Sequence, residues 1–230
     1  MGKWIDLTSA DGQKVPAYVA QPDGAVRGAI VVLQEIFGVN SHIRSVADGY
    51  AQAGYLAVAP ATFQRVQPGV DLAYTDADVQ AGVALKAKAE ALPAPGVLPD
   101  IQAAIDYAAA ESGGGKVGIV GYCWGGLWAW RAAAQAHGLS AAVPYYGGGM
   151  TQPAEIARQP RVPVMAHLSD NDPSVPMDGV KALQAAHPQV QVLVYAAHHG
   201  FNCDQRASYH AAAAQQALQR TLAFLAQHVG

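Results

Sequence analysis

Lys116-Val117-Gly118-Ile119-Val120-Gly121-Tyr122-Cys123-Trp124-Gly125-Gly126 is the stretch that decides the fold. A β-branched run ends in Gly-x-Cys-x-Gly and passes at once into Leu127-Trp128-Ala129-Trp130-Arg131-Ala132-Ala133-Ala134, which reads as helix. The pattern is a strand, a tight turn and a helix. Gly121 and Gly125 flank Cys123 two residues to either side. Lacking Cβ atoms, they let the strand and helix backbones approach until the central side chain is lifted out of the turn. A thiol there faces the exposed N–H groups and positive end of the helix, both of which favour the thiolate. The N–H of Trp124 is then placed to hold an oxyanion as a carbonyl carbon is attacked. A buried cysteine in a Gly-rich turn of an unrelated α/β protein fits the same short pattern, so the surrounding chain has to decide.

Working outward, a nucleophilic thiol needs a base and a carboxylate to orient that base. Ser169-Asp170-Asn171-Asp172-Pro173-Ser174-Val175-Pro176 follows one strand-like run, and Ala197-His198-His199-Gly200-Phe201 follows the next. Cys, then Asp, then His, each on the loop after a successive strand, is the chain order of an α/β-hydrolase, and the ordered set is far more specific than the elbow alone. Asp172 is chosen over Asp170 because Asp-x-x-Val-Pro leads from an acid into the next helix, which leaves Asp170 to cap or solvate. His199 is chosen over His198 because the following Gly200-Phe201 turn can present an imidazole. His198, His199, Cys203 and Asp204 also make a metal set on paper, but no Cys-x-x-Cys or His-x-x-x-His spacing supports it. No metal and no cofactor is expected, and Cys203 reads as a small packed residue.

The rest of the chain alternates in the same sense. Residues 15–20, 28–33, 55–59, 141–146, 162–167 and 190–195 read as strands, the second buried on both faces. Helices are expected from Ser41, taken as a cap, to about Ala53, over Asp76–Glu90, over Leu98–Glu111, and at the C-terminal end, where Leu218, Leu222 and Leu225 fall on one face. Residues 60–76 read as a long loop, the kind that often carries function. Trp124, Trp128 and Trp130 read as core or pocket wall.

Composition narrows the function classes. With 230 residues, 51% hydrophobic and 13% charged, the chain has material for one large core and little for disorder. A net charge of -3 with scattered Lys and Arg leaves no basic stripe for nucleic acid. No apolar run approaches a membrane span, and the first residues carry neither a secretory pattern nor a myristoylation signal, since Asp6 stands where Ser or Thr is wanted. Two cysteines, one of them in an elbow, point to a reducing, cytoplasmic setting.

Gln34-Glu35-Ile36-Phe37-Gly38-Val39-Asn40, Gly121-Tyr122-Cys123-Trp124-Gly125-Gly126, Asp172-Pro173-Ser174-Val175-Pro176 and His199-Gly200-Phe201 together resemble the dienelactone hydrolase family, the carboxymethylenebutenolidases, over nearly the whole chain. The resemblance implies a single-domain α/β-hydrolase fold, a mostly parallel sheet with helices on both faces and no lid domain, acting as a monomer or homodimer. It also implies hydrolysis of a small lactone or ester, with dienelactone giving maleylacetate. Carried over, Cys123 is the nucleophile, His199 the base, Asp172 its orienting acid and Glu35 a proton acceptor for the resting thiol. The backbone N–H groups of Ile36 and Trp124 form the oxyanion hole, and Arg206, Phe37 and Trp124 contact the substrate. The family's second carboxylate-binding arginine has no counterpart, because no Arg occurs between Arg65 and Arg131; Arg65 and Lys86 are the substitutes to examine. Three other classes remain in view: a general carboxylesterase of the same fold, an amidotransferase or protease-like protein with a cysteine elbow, and a non-catalytic binding protein on a hydrolase scaffold. The late Asp-then-His order and the Glu35 motif argue against the second, and turnover of a small aryl ester separates the third.

Overall fold

The computed structural model describes residues 2–230. Its centre is an eight-stranded sheet, ordered β1-β2-β4-β3-β5-β6-β7-β8. The strands are β1 (Lys3–Thr8), β2 (Lys14–Ala20), β3 (Ala29–Leu33), β4 (Leu56–Pro60), β5 (Val117–Tyr122), β6 (Leu139–Tyr145), β7 (Met165–Asn171) and β8 (Gln191–His198). β1 and β2 pair antiparallel and β2 meets β4 antiparallel, while every pairing from β4 through β8 is parallel. The sheet is therefore mostly parallel, as the alternation predicts. Among the described residues there are seven helices: α1 (Ser41–Gln52), α2 (Asp76–Glu90), α3 (Leu98–Glu111), α4 (Trp124–Gln135), α5 (Pro153–Ile156) and α6 (Met177–Ala186) lie between strands, and α7 (Ala211–His228) follows β8.

Alternate strand side chains feed two cores. Val31 and Leu33 of β3 join Leu85, Ile101, Ala104, Trp128, Val180 and Leu183, so α2, α3, α4 and α6 cover one face. Ile30 and Val32 join Ile43, Tyr50, Phe224 and Leu225, so α1 and α7 cover the other. A strand buried on both faces reads as a continuous apolar run, and all five residues of β3 are buried. β4 lies on one side of β3 and β5 on the other, so connections leave β3 and β5 in different directions. A crevice opens at their carboxyl ends, where ligands bind in sheets of this kind.

Three local expectations are corrected. The cap of α1 is Asn40, whose side-chain oxygen accepts from the N–H of Ile43; Ser41 is already inside the helix and its hydroxyl donates to Gln205. On α7 the buried face is Ala217, Thr221, Phe224 and Leu225, while Leu218 is exposed, because it stands one residue, about 100°, round from Ala217. β7 begins at Met165 rather than Val162 and runs on through Asn171, so Asp170 and Asn171 end a strand instead of opening a loop. Asp170 there accepts from the N–H of Ala197. Among the described residues no helix is long and apolar enough to cross a membrane.

Candidate active site

Cys123 sits between β5 and α4 with φ 55° and ψ −114°, a left-handed backbone that costs a β-carbon-bearing residue about 1–3 kcal/mol. Close approach on both sides holds it there. A Cβ on Gly121 would stand 2.0 Å from the carbonyl oxygen of Gly125, and one on Gly125 would stand 2.5 Å from the carbonyl oxygens of Leu33 and Gln34. The elbow is thus pressed against the end of β3. Trp124 opens α4, so its N–H has no partner within the helix and is free for a ligand. Ile36 follows β3 in the neighbouring crossover.

The Sγ of Cys123 lies 3.0 Å from Nε2 of His199, and Nδ1 of His199 lies 2.7 Å from Oδ2 of Asp172. The other oxygen of Asp172 accepts from the N–H of Ser174 at 2.8 Å, which fixes the carboxylate. Asp172 has no exposed side-chain surface and His199 little. Burial works to strip the proton from His199. The negative charge of a Cys123 thiolate and the hydrogen bond to Asp172 outweigh it and push the imidazole up to about 10. Near neutral pH this is an imidazolium, with Nδ1 donating to Asp172 and Nε2 directed at the sulfur of Cys123.

Glu35 is fully buried, and its carboxylate is held by Arg206 and Tyr74. Nη1 of Arg206 donates to Oε1 at 3.2 Å, and the hydroxyl of Tyr74 donates to Oε2 at 3.1 Å. The guanidinium also lies over the rings of Phe37 and Tyr74. Gly200, at φ +80°, makes this possible: a Cβ there would stand 2.6 Å from Nη1 of Arg206. Asp204 pairs with Nδ1 of His42.

The paper metal set is divided, with His199 on Asp172 and Cys123, His198 near Asn171, and Asp204 on His42. The indole of Trp124 is buried, stacked on Phe63 and donating to Glu90, so only its backbone faces the elbow. Arg65 is committed to Asp11 and Asp100. Lys86 lines a cleft of about 630 Å³ with Gly148, Ser174 and an Arg131 already paired to Glu90 and Glu155. That cleft reaches the site, since a Cβ on Gly148 would stand 4.0 Å from Cε1 of His199.

Two residues of the site escaped the sequence reading. Tyr74 comes from the long loop and clamps Glu35. Tyr146, at φ 35° just past β6, packs edge-on against His199 with its buried hydroxyl unpartnered. Its position one residue beyond a parallel strand was the available signal.

The profile of the "Dienelactone hydrolase family" matches residues 15–229. A carboxymethylenebutenolidase of Pseudomonas putida is 35% identical over 227 residues, covering 96% of this chain and 95% of the relative. A Klebsiella pneumoniae structure assigned to the dienelactone hydrolases superposes with a TM-score of 0.83 at 33% identity, covering 99% of both chains. A dienelactone hydrolase-like promiscuous phosphotriesterase from metagenomic libraries, 21% identical with a TM-score of 0.78 and covering 100% of this chain and 99% of its own, shares the fold.

Proposed function

This chain belongs to the dienelactone hydrolase family and is a hydrolase of ester or lactone bonds; from that premise we propose that it opens small carboxylate-bearing lactones, dienelactone or a close relative, through an acyl-Cys123 intermediate. The observation that supports this most is the continuous chain from Cys123 Sγ through His199 to Asp172 at the carboxyl ends of the strands.

The thiolate attacks the lactone carbonyl carbon, and the carbonyl π electrons move onto oxygen, where the N–H groups of Trp124 and Ile36 receive the oxyanion. As the tetrahedral species collapses, the ring C–O bond breaks and Nε2 of His199 gives its proton to the departing oxygen. With dienelactone that oxygen is an enol, which tautomerises to the ketone of maleylacetate. The now neutral Nε2 takes a proton from water, whose oxygen attacks the acyl carbon. Collapse of the second tetrahedral species expels the thiolate and restores the ion pair. Asp172 keeps the ring oriented and balances its charge throughout. Arg206 receives the substrate carboxylate in competition with Glu35, so Glu35 holds the guanidinium in register until substrate arrives.

One observation favours a broader carboxylesterase as the second reading: Arg65 and Arg131 are both committed to carboxylates, leaving Lys86 as the cation lining the cleft without an ion pair among the described residues. Two free thiols suit a cytoplasmic setting.

Intact-mass analysis after mixing with a p-nitrophenyl ester tests the mechanism. Wild type gains one acyl group on Cys123, and Cys123→Ala gains none and loses turnover. Full turnover by Cys123→Ala would sink the reading.

A further inference from the structure

Beside Glu35 lie two further ligating side chains, His42 and Cys203, that the hydrolytic cycle does not use. A carboxylate oxygen of Glu35, an imidazole nitrogen of His42 and Sγ of Cys203 lie within 4.8 Å of one another, and all three residues are buried. His42 is held through Nδ1, 3.2 Å from Oδ1 of Asp204, while its Nε2 is buried with no hydrogen-bond partner. A buried imidazole nitrogen left unpaired costs about 1–3 kcal/mol, and that cost is recovered if the nitrogen meets a ligand. The hydroxyl of Tyr74, hydrogen-bonded to Oε2 of Glu35, stands beside the same group.

We propose that Glu35, His42 Nε2 and Cys203 form a binding site for a borderline-soft divalent cation, zinc above all, and that its occupancy slows hydrolysis. One thiolate, one imidazole and one carboxylate select zinc over magnesium or calcium, which take oxygen donors. Bonds of about 2.0–2.3 Å put tetrahedral ligand atoms roughly 3.3–3.8 Å apart, so the trio closes by about an ångström, with water or the Tyr74 hydroxyl at the fourth corner. Asp204 on Nδ1 is the carboxylate–histidine partner that fixes the ring and its tautomer in zinc sites. On binding, the Cys203 thiol yields its proton to solvent and the thiolate donates its pair to the metal. An entry path exists, since His42 and the exposed Asp204 line an open cleft of about 450 Å³ between α1 and α7. The coupling to hydrolysis rests on the role proposed above for Glu35 and Arg206. The metal takes the carboxylate that holds Arg206 in register, so in a filled site the guanidinium is no longer oriented for the incoming substrate and turnover falls.

Cobalt(II) separates the site from its function, because a thiolate ligand gives a near-ultraviolet charge-transfer band whatever the enzyme hydrolyses. Purified protein, stripped with a chelator and titrated with cobalt, is expected to take up one ion per chain and show the band. The band is lost in Cys203→Ser, kept in Cys123→Ser, and formed in Asp204→Asn with about ten- to a hundredfold weaker affinity. Far-ultraviolet circular dichroism checks that each variant folds, and Asp204→Asn, a change at an exposed carboxylate, preserves the test if Cys203→Ser does not fold. No band in wild type, persistence of the band in Cys203→Ser, or its loss in Cys123→Ser would overturn the site. In the same titration with zinc, turnover of a carboxylated ester by wild type falls as the site fills; binding without any fall would overturn the coupling while leaving the site standing.

Discussion

Replacing Arg206 by Met removes the cation that Glu35 faces while keeping an apolar stem against Phe37 and Tyr74. Glu35 keeps only 1% of its side-chain surface in water, so the variant leaves a buried carboxylate without its charge partner, and breaking such a pair costs about 3–5 kcal/mol. Arg206 itself is 22% exposed, which places the cost near the low end, about 3 kcal/mol. At about 2–4 °C per kcal/mol for a chain of this size, Tm should fall by roughly 6–12 °C. Glu35→Gln in the same chain removes the stranded charge, so the double variant should recover most of that loss, with a coupling of about 0.5–3 kcal/mol in the cycle. Function should divide by substrate. A charge-assisted hydrogen bond contributes about 1.5–3 kcal/mol, so kcat/KM for a carboxylated lactone should fall about ten- to a hundredfold, while a neutral ester of similar size is little affected once the protein is folded. Scanning calorimetry of the four proteins in the cycle, with both substrates assayed well below the lowered Tm, measures both parts. An unchanged Tm in Arg206→Met would refute the buried-pair argument, and equal losses on both substrates would show that Arg206 does not select for a carboxylate.

Two further outcomes follow from the elbow and the imidazolium. Gly125→Ala places a Cβ against two backbone carbonyls at the end of β3, neither of which can rotate away. kcat should fall about a hundredfold through displacement of the Ile36 loop, with secondary structure retained by circular dichroism; near-normal kcat would show that the elbow does not need this contact. His199 is raised in the folded state from the ordinary 6.5 to about 10, so its contribution to stability is full below about 6.5 and is lost as pH rises through about 10. Asp172→Asn removes one of the charges that raise it and should narrow that window. Calorimetry from pH 6 to 10 should find the Tm difference between wild type and Asp172→Asn shrinking toward the alkaline end, and a difference that grows there would reverse the assignment.

The parts of the site that are local in sequence were legible as sequence. Gly121, Cys123 and Gly125 encode a turn by their own geometry, and Asp172 and His199 each follow a run that looks like a strand because it is one. What escaped is what only the fold assembles. Tyr74 sits in an aperiodic loop, and nothing near it in the chain announces that its hydroxyl ends against Glu35, 39 residues away. His42 sits on a helix where a histidine reads as an ordinary core residue, and its pairing with Asp204 spans 162 residues. β1 was missed because it is an edge strand with mostly exposed residues, and only Ile5 and Leu7 turn toward the core, too few to set a period. The face of α7 was misread because Ala217, Thr221 and Phe224 share the packing with Leu225, while Leu218 is exposed and Leu222 only half-buried.

His199 reaches Cys123 across 76 residues, and it arrives on the loop after β8, the last strand to be synthesised and an edge of the sheet. A chain still emerging, or one whose final strand has not docked, therefore carries Cys123 without the imidazole that lies beside its sulfur in the finished fold. Contacts of such long range form late, because their loop-closure entropy must be met before they contribute. On the mechanism proposed above, the immature chain has its thiol but not its base, so the arrival of fast alkylation would mark the moment at which the last strand has docked.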